Sequence, residues 1–271
     1  MPKITVVPFG GLGNRMRVLN SVFYLNKDIG QVPITLVWLI KAELGASFGS
    51  LFQSAGFSYN LLSGFKYRLF LKLVKHIFIC RYPRLYKFVF SFFYDLILFD
   101  DDILEMSKSA KYTIIARAKN VLIVTCYSFY PFPDFNNFTP NSEIIKRVNM
   151  LKIPANTVGI HIRRTDHAVI IKESGLTKFE EKIKEQKAFD SSINFYLATD
   201  DSEVKDYFRK LIGDSLITQE TELLRSSENG VQGAFIDVLA LSRCSKIICN
   251  LKSSFAEMAL LIGNKKECIE V

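Results

Sequence analysis

The sequence predicts an α/β protein built on a parallel sheet, and three observations lead there. Residues 157–166, Thr-Val-Gly-Ile-His-Ile-Arg-Arg-Thr-Asp, begin as a β-branched apolar run and end in a burst of charge. That is the pattern of a buried strand that delivers polar side chains at its carboxyl end. From residue 157 onward, strand-like and helix-like segments alternate at the spacing of right-handed crossovers. The chain also opens as strand, glycine loop and helix.

Residues 3–9 branch and alternate as a strand. Gly10-Gly11-Leu12-Gly13-Asn14-Arg15 follows, then a helical pattern with Met16, Leu19 and Phe23 on one face. The glycine spacing matches neither Gly-x-Gly-x-x-Gly nor the P-loop. It reads either as a tight turn where helix and strand pack closely, or as a loop at the rim of a cleft. On the second reading its backbone N–H groups and Arg15 approach a ligand. Residues 33–39 read as a second strand and 42–56 as a glycine-broken helix.

In residues 65–99, Lys66, Arg68, Lys72, Lys75, Arg81, Arg84 and Lys87 are interleaved with Phe, Tyr, Leu and Ile, and Asp95 is the only acid. The stretch is either a pair of helices packing aromatics inward beneath basic stems, or a face that lies on an anionic membrane. Asp100-Asp101-Asp102 resembles a metal-binding cluster but reads better as a helix start with an aspartate N-cap, so no metal site is expected. Residues 120–127 are another strand. Pro131, Pro133 and Pro140 mark the boundary region between halves, giving an N-terminal α/β domain over 1–150 and a second domain over 151–271. In the second, strands are expected at 157–164, 193–199, 215–218, 246–251 and 267–271. Helices are expected near 178–187, 202–212, 231–243 and 254–262.

With 271 residues the chain has room for two small domains or one large one. A hydrophobic content of 49% and a mean hydropathy of +0.15 indicate a globular chain with a sizeable core. A net charge of +8 favours an anionic partner: a nucleotide, a nucleic acid or a lipid surface. Cys80, Cys126, Cys244, Cys249 and Cys268 are odd in number and lack Cys-x-x-Cys spacing, so they read as reduced core thiols of a cytoplasmic protein. Met1-Pro2-Lys3 leads straight into a strand, so no signal peptide is expected. No apolar run approaches the ~20 residues of a spanning helix.

Ligands of open parallel sheets bind beyond the carboxyl ends of the strands. Four groups of polar residues fall there. His161, Arg163, Arg164 and Asp166 end the first strand of the second half, and arginine is a planar, permanently charged fork suited to phosphate oxygens. Asp200 and Asp201 follow the next strand. Asp201 or Ser202 reads as a helix cap, which leaves Asp200 to accept hydrogen bonds from a base or ribose. Ser254 and Glu257 have capping-box spacing, and a capped helix start favours a diphosphate, with Ser253 adding a hydroxyl. Asp237 lies among apolar neighbours and reads as a partly buried carboxylate paired with Arg163, or else as an exposed residue on a polar helix stripe.

These residues carry a resemblance. His-Ile-Arg-Arg-Thr-Asp at 161–166, Tyr-Leu-Ala-Thr-Asp-Asp at 196–201, Gln-Gly-Ala-Phe-Ile-Asp-Val-Leu-Ala-Leu-Ser at 232–242 and Lys-Ser-Ser at 252–254 occur in the order seen in GDP-fucose-dependent fucosyltransferases, the α1,6 enzymes above all. The Gly-Gly-Leu-Gly-Asn opening resembles the start of bacterial α1,2-fucosyltransferases. The match is good over about the C-terminal 120 residues. In the N-terminal half it rests on Gly10 to Asn14 alone.

The resemblance implies a GT-B-like architecture: two Rossmann-like halves with a cleft between them, the N-terminal half on the acceptor side and the nucleotide mainly on the C-terminal half. It implies inverting, metal-independent transfer of fucose from GDP-fucose, with no cofactor, to a glycan hydroxyl in bacterial surface polysaccharide or glycoconjugate synthesis. Gly11, Gly13, Asn14 and Arg15 then belong to the donor site. His161 contacts the nucleoside, Arg163 holds the diphosphate with Asp237 orienting it, and Arg164 supports the same strand end. Asp200 and Asp201 lie near the guanosine, and Ser253 and Ser254 near the diphosphate. The α1,6 enzymes place a catalytic glutamate in the loop after Asp166. Here Glu173 matches once a gap is allowed, which makes it the first choice of base, with Asp166 and His167 next.

The competing readings are a nucleic-acid- or anionic-membrane-binding protein without transferase activity, and a nucleotide enzyme such as a sulfotransferase or dehydrogenase. The absence of both glycine fingerprints counts against the last. The expected location is cytoplasmic, at most peripheral on the inner face of the membrane, with no nucleic acid bound.

Overall fold

Strand β1 (Lys3–Pro8) is buried at every position after Lys3 and organises the first half of the chain. A strand covered on both faces reads as a continuous apolar run, and Ile4-Thr5-Val6-Val7 is one. The structure is a computed structural model that describes residues 3–163, 174–222, 224–250, 253–264 and 267–271. It divides into two units, Met1–Thr139 and Pro140–Val271.

In the first, β1 is followed by α1 (Leu12–Asp28), β2 (Ile34–Leu36), α2 (Phe48–Leu51), β3 (Phe52–Ala55), β4 (Tyr59–Leu61), α3 (Gly64–Leu73), α4 (His76–Arg81), α5 (Pro83–Phe90), β5 (Leu96–Leu98), α6 (Asp100–Ser109), α7 (Thr113–Arg117), β6 (Asn120–Thr125) and β7 (Phe138–Pro140). Five strands pair in parallel in the order β4-β2-β1-β6-β5. The neighbours β3 and β7 form a separate two-stranded sheet.

The second unit runs α8 (Ser142–Met150), β8 (Thr157–Ile162), α9 (Ser174–Phe189), β9 (Asn194–Thr199), α10 (Ser202–Ile212), β10 (Leu216–Ile217), α11 (Glu228–Arg243), β11 (Lys246–Cys249), α12 (Ser254–Ile262) and β12 (Cys268–Glu270). Its sheet is parallel in the order β10-β9-β8-β11-β12. Counted within the unit this is 3-2-1-4-5, the first five strands of a Rossmann sheet. The chain order reverses between β8 and β11, and that switch point is where such sheets take ligands. Every residue of β8 is buried. Val158, Ile160 and Ile162 pack with Phe179 and Ile183 of α9 and with Phe208 of α10. Helix α8 is bound to α11 by Arg147 to Gln232 at 3.4 Å and Arg243 to Asn149 at 2.6 Å.

The structure corrects several local expectations. Residues 42–56 are not a helix. They hold a bridge between Lys41 and Leu44, the four-residue α2 and the strand β3. Trp38 donates to the Ala46 carbonyl at 2.9 Å and Ser47 accepts from the Ser50 amide at 3.1 Å, so a buried indole and a serine cap fix the path that Gly45 and Gly49 leave open. Residues 65–99 form three short helices and a strand in place of two helices. Asp100 to Asp102 do begin a helix, but the N-cap is Phe99. The Asp102 carboxylate reaches back to the Phe99 amide at 2.9 Å and pairs with Lys87, while Asp100 accepts from Thr125 Oγ1 at 2.6 Å. Cys80 is exposed, against the expectation of core thiols, whereas Cys244 and Cys249 are buried.

Helix α11 carries two glycines where another segment presses on it. A Cβ at Gly230 would overlap the Leu224 carbonyl oxygen, and one at Gly233 would overlap the Thr221 side chain. A side chain can turn away from a clash but a backbone carbonyl cannot. Gly230→Ala is therefore expected to lower the melting temperature more than Gly233→Ala, each within the ~1–3 kcal/mol of overpacking. Thermal denaturation of the two variants checks the order.

Candidate functional site

The carboxyl end of β8 and the start of α12 meet at the switch point of the second sheet. His161 on β8 lies in register with Cys249 on β11, and the segment after β11 leads to Ser253. Ser253 Oγ is 3.0 Å from His161 Nδ1, and it also accepts from the Ala256 amide at 3.2 Å. One lone pair of the hydroxyl is thereby engaged, and Oγ and Nδ1 share a single hydrogen bond whose direction follows the ring tautomer. The imidazole stacks on Phe255, centroids 4.7 Å apart and planes 15° apart. Burial pushes its pKa down to about 4; Arg163 acts in the same direction and Asp200 opposes. His161 is thus a neutral imidazole at neutral pH, not a cation.

The N-cap of α12 is Ser253 rather than Ser254. The capping box expected from Ser254 and Glu257 is replaced by Ser253 bonding to Ala256. Ser254 is the first helical residue, and the amides of Ser254 and Phe255 lie in the turn whose N–H groups have no helical acceptor. The exposed Arg163 leaves the end of β8, held by its amide to Asn250 Oδ1 at 3.2 Å. Asn250 is a site residue the sequence reading missed; a polar residue directly after a strand was its signal. Asp201 caps α10 through the Glu203 and Val204 amides, as expected. Asp200 acts electrostatically on His161 and lies 3.9 Å from Arg225. Arg164, Asp166, His167 and Glu173 lie outside the described residues.

Asp237 is buried, as one reading had it, but its partner is not Arg163. Tyr196 Oη donates to Asp237 Oδ1 at 2.6 Å, and Gln219 Nε2 at 2.5 Å. The favourable charge facing it is Lys205, whose Nζ donates to the Gln219 carbonyl at 2.8 Å. Tyr196, Lys205, Gln219 and Asp237 are all buried. They come from β9, α10, the segment after β10 and α11, so no local spacing announces them. Burial pushes the Asp237 carboxyl up to about 6, against the lowering by Tyr196, Gln219 and Lys205. It drives the Tyr196 phenol well above its ordinary range.

In the first unit, Gly10 adopts φ +80° and opens the turn into α1, and Gly11 is the N-cap, with Gly13 and Asn14 in the first turn. Asn14 Oδ1 accepts from Arg17 at 2.8 Å. Arg15 is fully buried, which corrects its expected place at a rim. Its Nε donates to the Gly10 carbonyl at 2.9 Å and Nη1 to the Leu39 carbonyl at 2.7 Å, with the guanidinium 4.9 Å over Trp38. It braces the glycine loop against the chain after β2. Desolvation lowers its pKa to about 10. Among the described residues no group of His, Cys, Asp and Glu is placed to hold a metal ion.

Fold and site together define an α/β protein of two parallel-sheet units with an arginine-bearing strand end beside a capped helix start in the second. The same fold occurs in solved fucosyltransferases. The NodZ α1,6-fucosyltransferase in a crystal soaked with GDP-fucose, an enzyme also solved from Bradyrhizobium, superposes with a TM-score of 0.68 at 18% identity over 97% of this chain and 93% of that one. A mutant of Arabidopsis thaliana FUT1 in complex with GDP gives 0.67 at 15% over 98% and 70%. POFUT1 in its apo form gives 0.54 at 9% over 99% and 97%. No family model and no curated protein matches the sequence.

The buried carboxylate sets a pH signature. With the Asp237 pKa raised from 3.8 to about 6, its contribution to stability is fully present below pH ~4 and is lost as pH rises through ~6. His161, depressed to about 4, has the opposite sign: its contribution is present above pH ~6.5 and is lost as pH falls through ~4. Both hydrogen bonds to Asp237 end on one oxygen, so asparagine can keep them. Asp237→Asn is therefore expected to gain melting temperature relative to the parent as pH rises from 4 to 7, a trend that denaturation across that range reads directly.

Proposed function

We propose that this chain is a glycosyltransferase that moves fucose from GDP-fucose to a glycan hydroxyl, with inversion and without a metal ion, in surface polysaccharide or glycoconjugate synthesis. The observation that carries the reading is the meeting of His161, Arg163 and the Ser253-capped start of α12 at one switch point. It occurs within a fold that NodZ and POFUT1 share, both solved with GDP and with GDP-fucose.

The acceptor oxygen attacks the anomeric carbon, the bond to the GDP oxygen breaks, and the hydroxyl proton passes to a carboxylate. Glu173 is the first candidate for that base, with Asp166 and His167 behind it. Arg163 and the first-turn amides of α12 offset the negative charge that develops on the leaving diphosphate, the work a divalent ion does elsewhere. Neutral His161, its Nδ1 taken up by Ser253, turns Nε2 to the nucleoside. Asp200 faces the same end and accepts from the base or ribose, and Arg164, Asp201 and Ser254 complete the donor site. Asp237 holds the α11 side of the sheet through Tyr196 and Gln219 and acts on the site by position.

Two measurements test this. GDP is expected to raise the melting temperature in the presence of a chelator and UDP is not; strict dependence of turnover on a divalent ion would overturn the metal-free reading. In Arg163→Ala, turnover is expected to fall ~100- to 1000-fold and further than donor affinity, because the interaction strengthens as the bond breaks. Arg163→Lys recovers part, keeping charge without the planar fork. Fucose transfer, or slow hydrolysis of GDP-fucose, is the assay.

A further inference from the structure

Helices α3, α4 and α5 turn one face to a core and leave the other uncovered. On α3, Tyr67, Phe70, Leu71 and Val74 pack inward with Phe9, Val37 and Leu122. On α5, Tyr86 and Phe90 join the same cluster, and Phe70 stacks on Phe90 at 6.1 Å. The opposite stripes point away from it. Phe65, Leu69 and Leu73 repeat every four residues along α3, and Leu85, Phe88, Val89 and Phe92 run at helical spacing through and past α5. Exposure reaches 80% at Phe65, 73% at Ile77, 71% at Phe92 and 72% at Phe93. A soluble surface scatters large apolar side chains singly. An array of this size on one layer marks a surface that meets something.

The charge says what it meets. Residues 64–94 contain seven Lys and Arg and no Asp or Glu, within a chain of net charge +8. Lys66, Arg68, Lys72, Lys75, Arg81 and Arg84 are exposed between the apolar stripes. The carboxylates that contact this layer from α6 already have partners: Asp102 has Lys87 of α5 and the Phe99 amide, and Asp100 has Thr125, Cys126 and, at 3.9 Å, Cys80 of α4, which leaves the six exposed cations unneutralised by them. Apolar side chains that enter an acyl layer, flanked by cations at headgroup level, are the signature of a helix lying in an anionic interface. An acidic protein would match the charge but not the eleven exposed rings and aliphatic chains of residues 64–94. No helix among the described residues is long and apolar enough to cross a membrane, so the contact is one of lying on the surface.

We propose that the outer face of α3, α4 and α5 docks on an anionic lipid surface. It inserts Phe65, Ile77, Phe88, Phe92 and Phe93 while Lys66, Arg68, Lys72, Arg81 and Arg84 pair with phosphate headgroups. This does not depend on the donor reading, since it concerns a different surface and is measured without nucleotide.

The test is co-sedimentation with vesicles of phosphatidylcholine, pure or containing phosphatidylglycerol. Binding is expected to the anionic vesicles alone, and to weaken as NaCl rises from about 50 to about 500 mM. Lys66→Gln, Arg68→Gln and Lys72→Gln are each expected to lower partitioning about fivefold. Phe65→Ser/Phe88→Ser/Phe92→Ser is expected to abolish tight binding while keeping the parent melting temperature, because those rings lie outside the core. In the unmodified protein, hydrogen exchange with and without vesicles is expected to slow over 64–93, a readout that needs no variant. Three results would overturn the proposal: no sedimentation with anionic vesicles at low salt, binding unchanged by the phenylalanine variants, or protection confined to other segments.

Discussion

The contact between Ser253 Oγ and His161 Nδ1 ties together the two ends that the second sheet brings to its switch point. It exists because β8 and β11 are adjacent and parallel, with His161 opposite Cys249. Adjacency in turn follows from burial of β8 on both faces, which obliges helices to cover each side and the chain to return by crossovers. One hydroxyl then does two things: it caps α12 and holds the imidazole against Phe255. The consequence is a neutral imidazole and a helix start side by side, with Arg163 on the same strand end.

The second polar assembly works by the opposite logic. Asp237 is buried away from solvent, and Tyr196, Gln219 and Lys205 supply the stabilisation that bulk water would. Removing one member leaves the others buried and unmet, at a cost of ~1–3 kcal/mol for each unsatisfied group. Such a network holds four elements in one arrangement and so keeps the strand ends in place.

Much of this was legible in the sequence, and the reasons for what was not are physical. The β8 to β12 pattern was readable because parallel strands buried on both faces are apolar runs and helices between them are amphipathic. The strand-end placement of His161, Arg163, Asp200 and Ser253 followed from position on that pattern. The partner of Asp237 was not readable, because proximity to Lys205 and Gln219 is made by the sheet order and not by sequence spacing. Arg15 looked like a rim residue because it follows glycines, yet its burial depends on Trp38 and the Leu39 carbonyl, set by how β2 lies beside β1. The cap shifted from Ser254 to Ser253 because either of two adjoining serines can accept an N3 amide, and with Ser253 as cap the N3 residue is Ala256, so no capping box forms. Residues 42–56 read as a glycine-broken helix, but a tryptophan bond across eight residues decided their path.

The central claim is that the nucleotide sits at the β8–α12 switch point. Amide hydrogen exchange with and without GDP tests it most directly. GDP is expected to slow exchange at 161–163 and at 253–257, where the first-turn amides meet the diphosphate, while UDP leaves both segments unchanged. Protection by GDP confined to the glycine loop at 10–14, or absent from 253–257, would contradict the account.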